Sequence, residues 1–467
     1  MGRVREFLGG PLMRRSLLLG TGAAIIGYGG YVFGEYDRPR KEWEDLGDRP
    51  LKLYSPRDDT ANRQRILLID QWNAMHPKHQ VDIVEHSNIT DLSYSVIHAR
   101  LQAEDPDVDV VELDVPWIAE FAAAGYIQPL EDVDSSGFID RTYEAGVVDG
   151  EDFALPFHSD VGMLYYRKDF VSDERAAALS DWESLRELIG EVAADGGFEG
   201  GIAMQLDAYE GFTVNVWEYL LANGVDTAEN GSIDFGPGSR AVELLETMAG
   251  DIHPELGSSS NEVPNILPTS LQFDEDASRV AFQEGRTPLL RHWPRAFSQL
   301  PSCDPDFEVG VRPMPGGVLG GRSLAISAFS ERRVVSQALI EFLTGPASQQ
   351  LIFERGGFAA TRHEPYYDAV AQIENILESN EVPEDDEAAE SALLEELRCE
   401  EAGDSLPRME AEQLHTALES AGRRPGVERY TQFSQAFHGF LHGRFERASA
   451  PDLDGLGEAL QDAIEGR

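Results

Sequence analysis

Lysine is nearly missing from this chain. Of 38 basic residues only Lys41, Lys52, Lys78 and Lys168 are lysines, against 84 carboxylates and a net charge of −46. Without a basic patch to displace counterions, nucleic acid is excluded as a partner. Cysteine is as scarce: Cys303 and Cys399 have no second Cys or His at metal-ligand spacing. They are either a disulfide or two plain thiols, and they argue against a zinc site. The phosphate-binding patterns G-x-x-x-x-G-K-[ST] and strand-borne G-x-G-x-x-G are missing, as are G-x-S-x-G and H-E-x-x-H. The i, i+4 pair His438 and His442 has no clustered third ligand and reads as a surface helix. Among so many carboxylates a glycosidase-like pair is not excluded by counting, yet no motif points to one. The expectation is a protein with no cofactor, no bound metal and no catalytic residue.

What is present is a folded chain. Apolar residues make up 42%, which separates it from disordered acidic polymers. A charge of −46 would drive self-repulsion at low salt, whereas molar salt shortens the screening length to ~3 Å. The acid excess therefore reads as adaptation to high salt. A calcium-binding surface is the alternative, but no D-x-D-x-D-G loop accompanies it. A length of 467 residues suggests two or three domains.

Arg14 and Arg15 stand directly before an apolar run from Leu17 to Phe33, the pattern of a twin-arginine export signal. Residues 1–34 are thus a signal or a membrane anchor, just long enough to cross ~30 Å of hydrocarbon. No Cys follows for lipid attachment and no clean A-x-A site is visible, which favours an uncleaved anchor. Residues 35–50 read as a linker. The remainder is placed outside the cytoplasm, at the cell surface.

From residue 51, strands alternate with helices. Leu51–Ser55, Val81–Glu85 and Val108–Leu113 read as strands. A helix capped by Thr60 with Leu68, Trp72 and Met75 on one face lies between the first two, and one striped by Leu92, Val96, Ala99 and Ala103 between the next two. This alternation predicts an α/β lobe with a parallel sheet. Phe153–Phe157 and Val161–Arg167 read as two strands parted by His158, Ser159 and Asp160. A second lobe begins near 160, with a capping box at Ser180 and Glu183 before a stripe of Trp182, Leu185, Ile189 and Val192. A strand after Gly285 leads to His292, Trp293 and Pro294, which open another helix. The strands "FEVGVRP" and "SLAIS" suggest a further crossing between lobes. Lobe 1 is expected over 51–158 plus 307–345, and lobe 2 over 159–306 plus 346–467.

Several stretches occur together and in order: "AAGYIQPLEDV", "ALPFHSDVGMLYYRKDF" followed by "DWESL", "YEGFTVNVWEYLLANG", "FQEGRTPLLRHWPRAFSQL", "GGRSLAIS" and "IEFLTGPASQQ". In them the chain resembles the maltose/trehalose-binding members of extracellular solute-binding protein family 1, from about residue 50 to about 445. The resemblance implies an α/β periplasmic-binding-protein fold of type II, two lobes joined by hinge strands with a ligand cleft between. It implies a monomeric receptor that captures a sugar by hinge closure and delivers it to the permease of an ABC importer. A receptor for a polyamine, an anion or a peptide, and a secreted carbohydrate-active enzyme, are the alternatives.

A sugar offers paired hydroxyls and an apolar ring face, so its receptor needs carboxylates, guanidinium groups and aromatics. The resemblance points to Trp293 as a stacking platform, with packing as the alternative. It points to Asp114 at the end of the third strand, where α/β folds bind ligands, with Trp117 one turn on. Asp160 and His158 stand at the lobe crossing, though His158 departs from the aromatic expected there. Tyr209 and Glu210 are further candidates. Gly320 and Gly321 match a pair that lets backbone approach the ligand. Arg322 replaces an aromatic common in relatives and reads as either a more polar ligand or a salt-adapted surface. Arg424 matches an R-P stretch that could reach the cleft, and Asp58 and Asp59 follow the first strand.

Overall fold

The computed structural model describes residues 49–58, 63–228, 231–256, 263–300, 308–356, 358–380, 393 and 410–467. The export segment, Thr60, Asp59, both cysteines and most of the acidic stretch between 380 and 404 lie outside the described residues.

Two sheets carry the fold. In the first, β1 (Leu51–Pro56) lies parallel to β2 (Val81–His86) and β3 (Val110–Asp114). Its order β2-β1-β3-β12-β4 is completed by β4 (Ile127–Gln128) and the long antiparallel β12 (Leu319–Ser327). A two-stranded ribbon follows, β5 (Val147–Val148) with β6 (Glu151–Asp152). Then β7 (Ala154–Val161) pairs with β12. The second sheet joins β8 (Met163–Arg167), β9 (Ile202–Ala203), β10 (Leu289–His292) and β11 (Val309–Pro313) in the order β11-β8-β10-β9.

Side-chain alternation along the strands explains why both faces of each sheet are covered. Leu51 and Leu53 of β1 pack with Leu68, Trp72, Val335 and Leu339 from the helices Gln64–Met75 and Arg333–Leu343. Tyr54 packs on the opposite face with Ile97, Leu101, Trp117 and Phe121. The second sheet repeats the device: Met163 and Tyr165 of β8 join one cluster, Leu164 and Tyr166 another.

Four local expectations are corrected. His158 and Asp160 do not separate two strands; β7 runs through them, and Gly162 makes the passage to β8. A Cβ on Gly162 would lie 2.1 Å from Glu218 Oε1, so only glycine fits there. Val309–Pro313 hydrogen-bonds into the second sheet, which moves the return passage from 307–313 to residues 314–318, and the helix Pro346–Gly356, expected in lobe 2, packs on both sides, Ile352 in the core of the first sheet and Phe353 in the cluster of Met163 and Tyr165. The capping box is one residue later than expected, with Asp181 and Ser184 bonded reciprocally. The helix Thr90–Gln102 buries Tyr94, Ile97 and Leu101, leaving Leu92 and Val96 exposed.

Candidate functional site

A cleft of about 550 Å³ opens between the two sheets. Its floor on the first side is a row across three adjacent strands: Asp114 of β3 stands opposite Arg322 of β12, which stands opposite His158 of β7. Two residues along, Gly320 is paired with Asp160. Beneath this row lies Glu112, fully buried in β3. It accepts hydrogen bonds from Ser55 (2.6 Å) and Arg65 (3.4 Å), with Arg65 Nε also 3.2 Å away and His158 Nε2 at 3.5 Å. Burial pushes this carboxyl up, but Arg65, His158 and Arg322 outweigh it and hold it well below the usual carboxylate range. The ionised Glu112 fixes Arg65 and orients His158, whose ring stacks on Phe358 at 4.3 Å.

The opposite wall starts with Tyr209 and Glu210, where the helix Glu210–Ala222 begins. Gly211 lets the Tyr209 ring fold back, because a Cβ there would sit 2.3 Å from that ring. Glu210 accepts from Arg424 Nη1 at 2.7 Å and from Ser434 at 2.5 Å, and Arg424 Nη2 reaches Asp114 at 3.1 Å. Burial raises Glu210, with Arg424 opposing. Three residues singled out separately in the sequence thus form one ionic bridge across the cleft.

Trp293 follows β10, half-buried, with the Arg291 guanidinium 3.9 Å from its ring centroid. Arg291 is itself fully buried and bonds Glu218 twice, at 2.6 and 2.7 Å. The outer edge of the indole lies against Gly320, where a Cβ would come within 3.1 Å of it. Trp293 thereby spans from the second sheet to the first. Asp160 Oδ1 and Arg322 Nη1 are buried, with no hydrogen-bond partner among the described residues. Burial raises the Asp160 carboxyl, against the pull of His158 and Arg295.

Of the expected residues, Asp58, Asp114, His158, Asp160, Tyr209, Glu210, Trp293, Gly320, Gly321, Arg322 and Arg424 line this cleft. Trp117 does not: it is 2% exposed, packed edge-on against Tyr94 in the core. Gly321 has a structural reason distinct from ligand approach, since at φ 104° a Cβ would meet the His158 carbonyl at 2.3 Å. Its freedom serves strand pairing. Sequence reasoning missed Glu112, Arg65, Glu275 and Arg295, all of which also line the cleft. A glutamate inside the apolar run "VDVVEL" was the available signal for Glu112.

With this geometry in view, comparison with known proteins is decisive. Residues 68–375 match the family model described as bacterial extracellular solute-binding protein. The chain belongs to that family. A probable ABC transporter-binding protein of Deinococcus radiodurans is 26% identical over 306 residues, covering 60% of this chain and 68% of the relative. Among solved structures, maltose-bound MalE3 of T. maritima superposes with a TM-score of 0.67 at 23% identity, over 89% of this chain and 98% of that one. UgpB of Mycobacterium tuberculosis, in complex with glycerophosphocholine, gives 0.64 at 16% identity, over 90% and 98%. The shared architecture is the type II periplasmic-binding fold. The members of the family are extracellular binding proteins, and this solute-binding protein carries its cleft where the two sheets face each other.

Proposed function

We propose that this solute-binding protein is the receptor of an ABC-type importer for a mono- or oligosaccharide. The observation that carries the reading is the pairing of a half-buried indole, Trp293, with unsatisfied polar atoms on Asp160 and Arg322 in one cleft. A sugar ring stacks on the first while its hydroxyls accept from the guanidinium and donate to the carboxylate. The likeness to a probable ABC transporter-binding protein and to a maltose-bound protein supports this class. Closure of the lobes about Gly162 and residues 314–318 captures the solute, and the permease receives it. Residues 1–34 direct twin-arginine export and tether the receptor, a monomer, at the cell surface, where its acidic exterior suits high salt.

A cationic solute such as a polyamine is the second reading, favoured by Asp207, Asp274, Glu275 and Asp276, which all line the cleft. A thermal-shift screen in molar KCl against mono- and disaccharides, polyamines and phosphate separates the two. A ligand at ~100 times its Kd stabilises the fold by ~2.7 kcal/mol. A shift with a sugar, reduced in Trp293→Ala, supports the sugar reading; a shift with polyamines alone replaces it.

A further inference from the structure

Far from the cleft row in sequence, three side chains converge: His363, His415 and Glu419. Their ligand atoms all lie within 4.8 Å of one another. His415 and Glu419 are four apart on the helix Ala411–Ser420 and so share one face. His363 comes from the turn just before the helix Glu364–Ser379, held by its backbone N–H to Gly137 O at 3.0 Å. The two imidazoles meet nitrogen to nitrogen, His363 Nδ1 at 2.7 Å from His415 Nε2, and Glu419 Oε1 stands 3.8 Å from the latter. The histidines are 52 positions apart, which is why a search for local His spacing did not find them.

We propose that His363, His415 and Glu419 form a site for a borderline late first-row divalent metal of the Zn(II) class. Two imidazoles and one carboxylate are the donor set such ions take, whereas Mg(II) and Ca(II) select all-oxygen sites. At Zn–N distances of ~2.0–2.1 Å a tetrahedral ion separates its two nitrogens by ~3.3 Å, so the rings need part by only ~0.6 Å from their present contact. The surroundings hold them in place: Tyr367 stacks on His363 at 5.8 Å and 8°, and Tyr366 and Tyr367 flank His415 at 5.1 and 5.4 Å. Tyr366, buried, closes the inner side of the site against water, while Tyr367 stands at the surface. Glu419 is 51% exposed and leaves an entry path.

The placement gives the ion a role. Upstream of His363, Phe358 stacks on His158 in the cleft. Downstream of Glu419, Gly422 donates to Gly317 in the return passage and accepts from Leu319 at the start of β12, and Arg424 forms the cleft bridge. A metal here clips together two segments that each run into the solute site.

The test is titration of the chelator-treated full chain with Zn(II), and separately Co(II), in molar KCl with excess Mg(II) to saturate the acidic surface. The expected result is one equivalent bound, Co(II) showing the intense visible bands of a low-coordinate nitrogen-ligated site. Both are lost in His363→Gln and His415→Gln, and affinity falls at least ~10-fold in Glu419→Gln, as much as loss of an outer-sphere partner costs. Binding that is unchanged in all three variants, or suppressed by Mg(II) with only a hexa-aquo-like Co(II) spectrum, overturns the proposal. Should either histidine variant fail to fold, the wild-type Co(II) spectrum and the exposed Glu419→Gln variant still decide it.

Discussion

Arg424 Nη2 lies 3.1 Å from Asp114 Oδ1, a contact between residues 310 positions apart. The same guanidinium holds Glu210 at 2.7 Å, so it separates two carboxylates that would otherwise repel. Arg424→Ala leaves the buried Glu210 and the half-buried Asp114 without this counter-charge, and breaking a buried pair in this way costs ~3–5 kcal/mol. Chemical denaturation of the variant is expected to show a loss of that size, together with weaker solute binding.

Trp293 is expected to supply the stacking face of the cleft. Trp293→Ala should raise Kd for the solute by about two- to tenfold, the value of one aromatic contact. Trp117→Phe should leave Kd unchanged, because that ring packs in the core. Isothermal titration of both variants checks the contrast.

Gly321→Ala should destabilise the fold by ~1–3 kcal/mol or more. The strain is twofold: φ is 104° and the new methyl would press on the His158 carbonyl. Gly439→Ala, where a Cβ meets no atom of the described residues within 4 Å, is the matched control in a thermal melt.

Acid should weaken the fold in a defined window. Burial depresses His292 from 6.5 to about 3, so between those values the unfolded chain binds a proton that the folded chain refuses. Stability from this group is complete above pH 6.5 and is lost as pH falls toward about 3. Glu112, held below the usual carboxylate range, acts in the same direction beneath its ordinary 4.5. The unfolding free energy of His292→Gln should therefore fall less between about pH 7 and pH 4 than that of the wild type, at constant KCl.

Salt should act oppositely. With a net charge of −46, raising KCl from ~0.1 M to ~1 M shortens the screening length from ~10 to ~3 Å and relieves repulsion in the compact state. The melting temperature is expected to climb throughout that range. A melt insensitive to KCl would remove the salt-adaptation reading.

The chain wrote some of this plainly. The stripe Trp182, Leu185, Ile189 and Val192 is buried as its spacing required, because a single apolar face leaves no second solution. The helix Thr90–Gln102 turns inward one position past the stripe of Leu92 and Val96, because its inward face includes Ser93 and the Tyr94 hydroxyl, which bonds Glu120. Trp117 and Trp293 illustrate the limit for the site. Both follow a strand, yet Arg322 lies on the cleft side of Trp117, 5.9 Å from its ring, and the indole turns inward. Such choices depend on strands 200 positions away, which no local pattern encodes.

Glu218 touches both passages between the lobes. Its carboxylate accepts from Val318 N–H at 3.1 Å, crowds Gly162, and is locked by Arg291. In the proposed closure, the pivot is thus anchored to a side chain that never meets the solute. Apparent affinity in such a receptor is the intrinsic affinity scaled by the fraction of molecules already competent to bind. Substitutions around Glu218 would shift that fraction, so evolution has a way to retune how much solute this protein holds at a given concentration while leaving its choice of solute untouched.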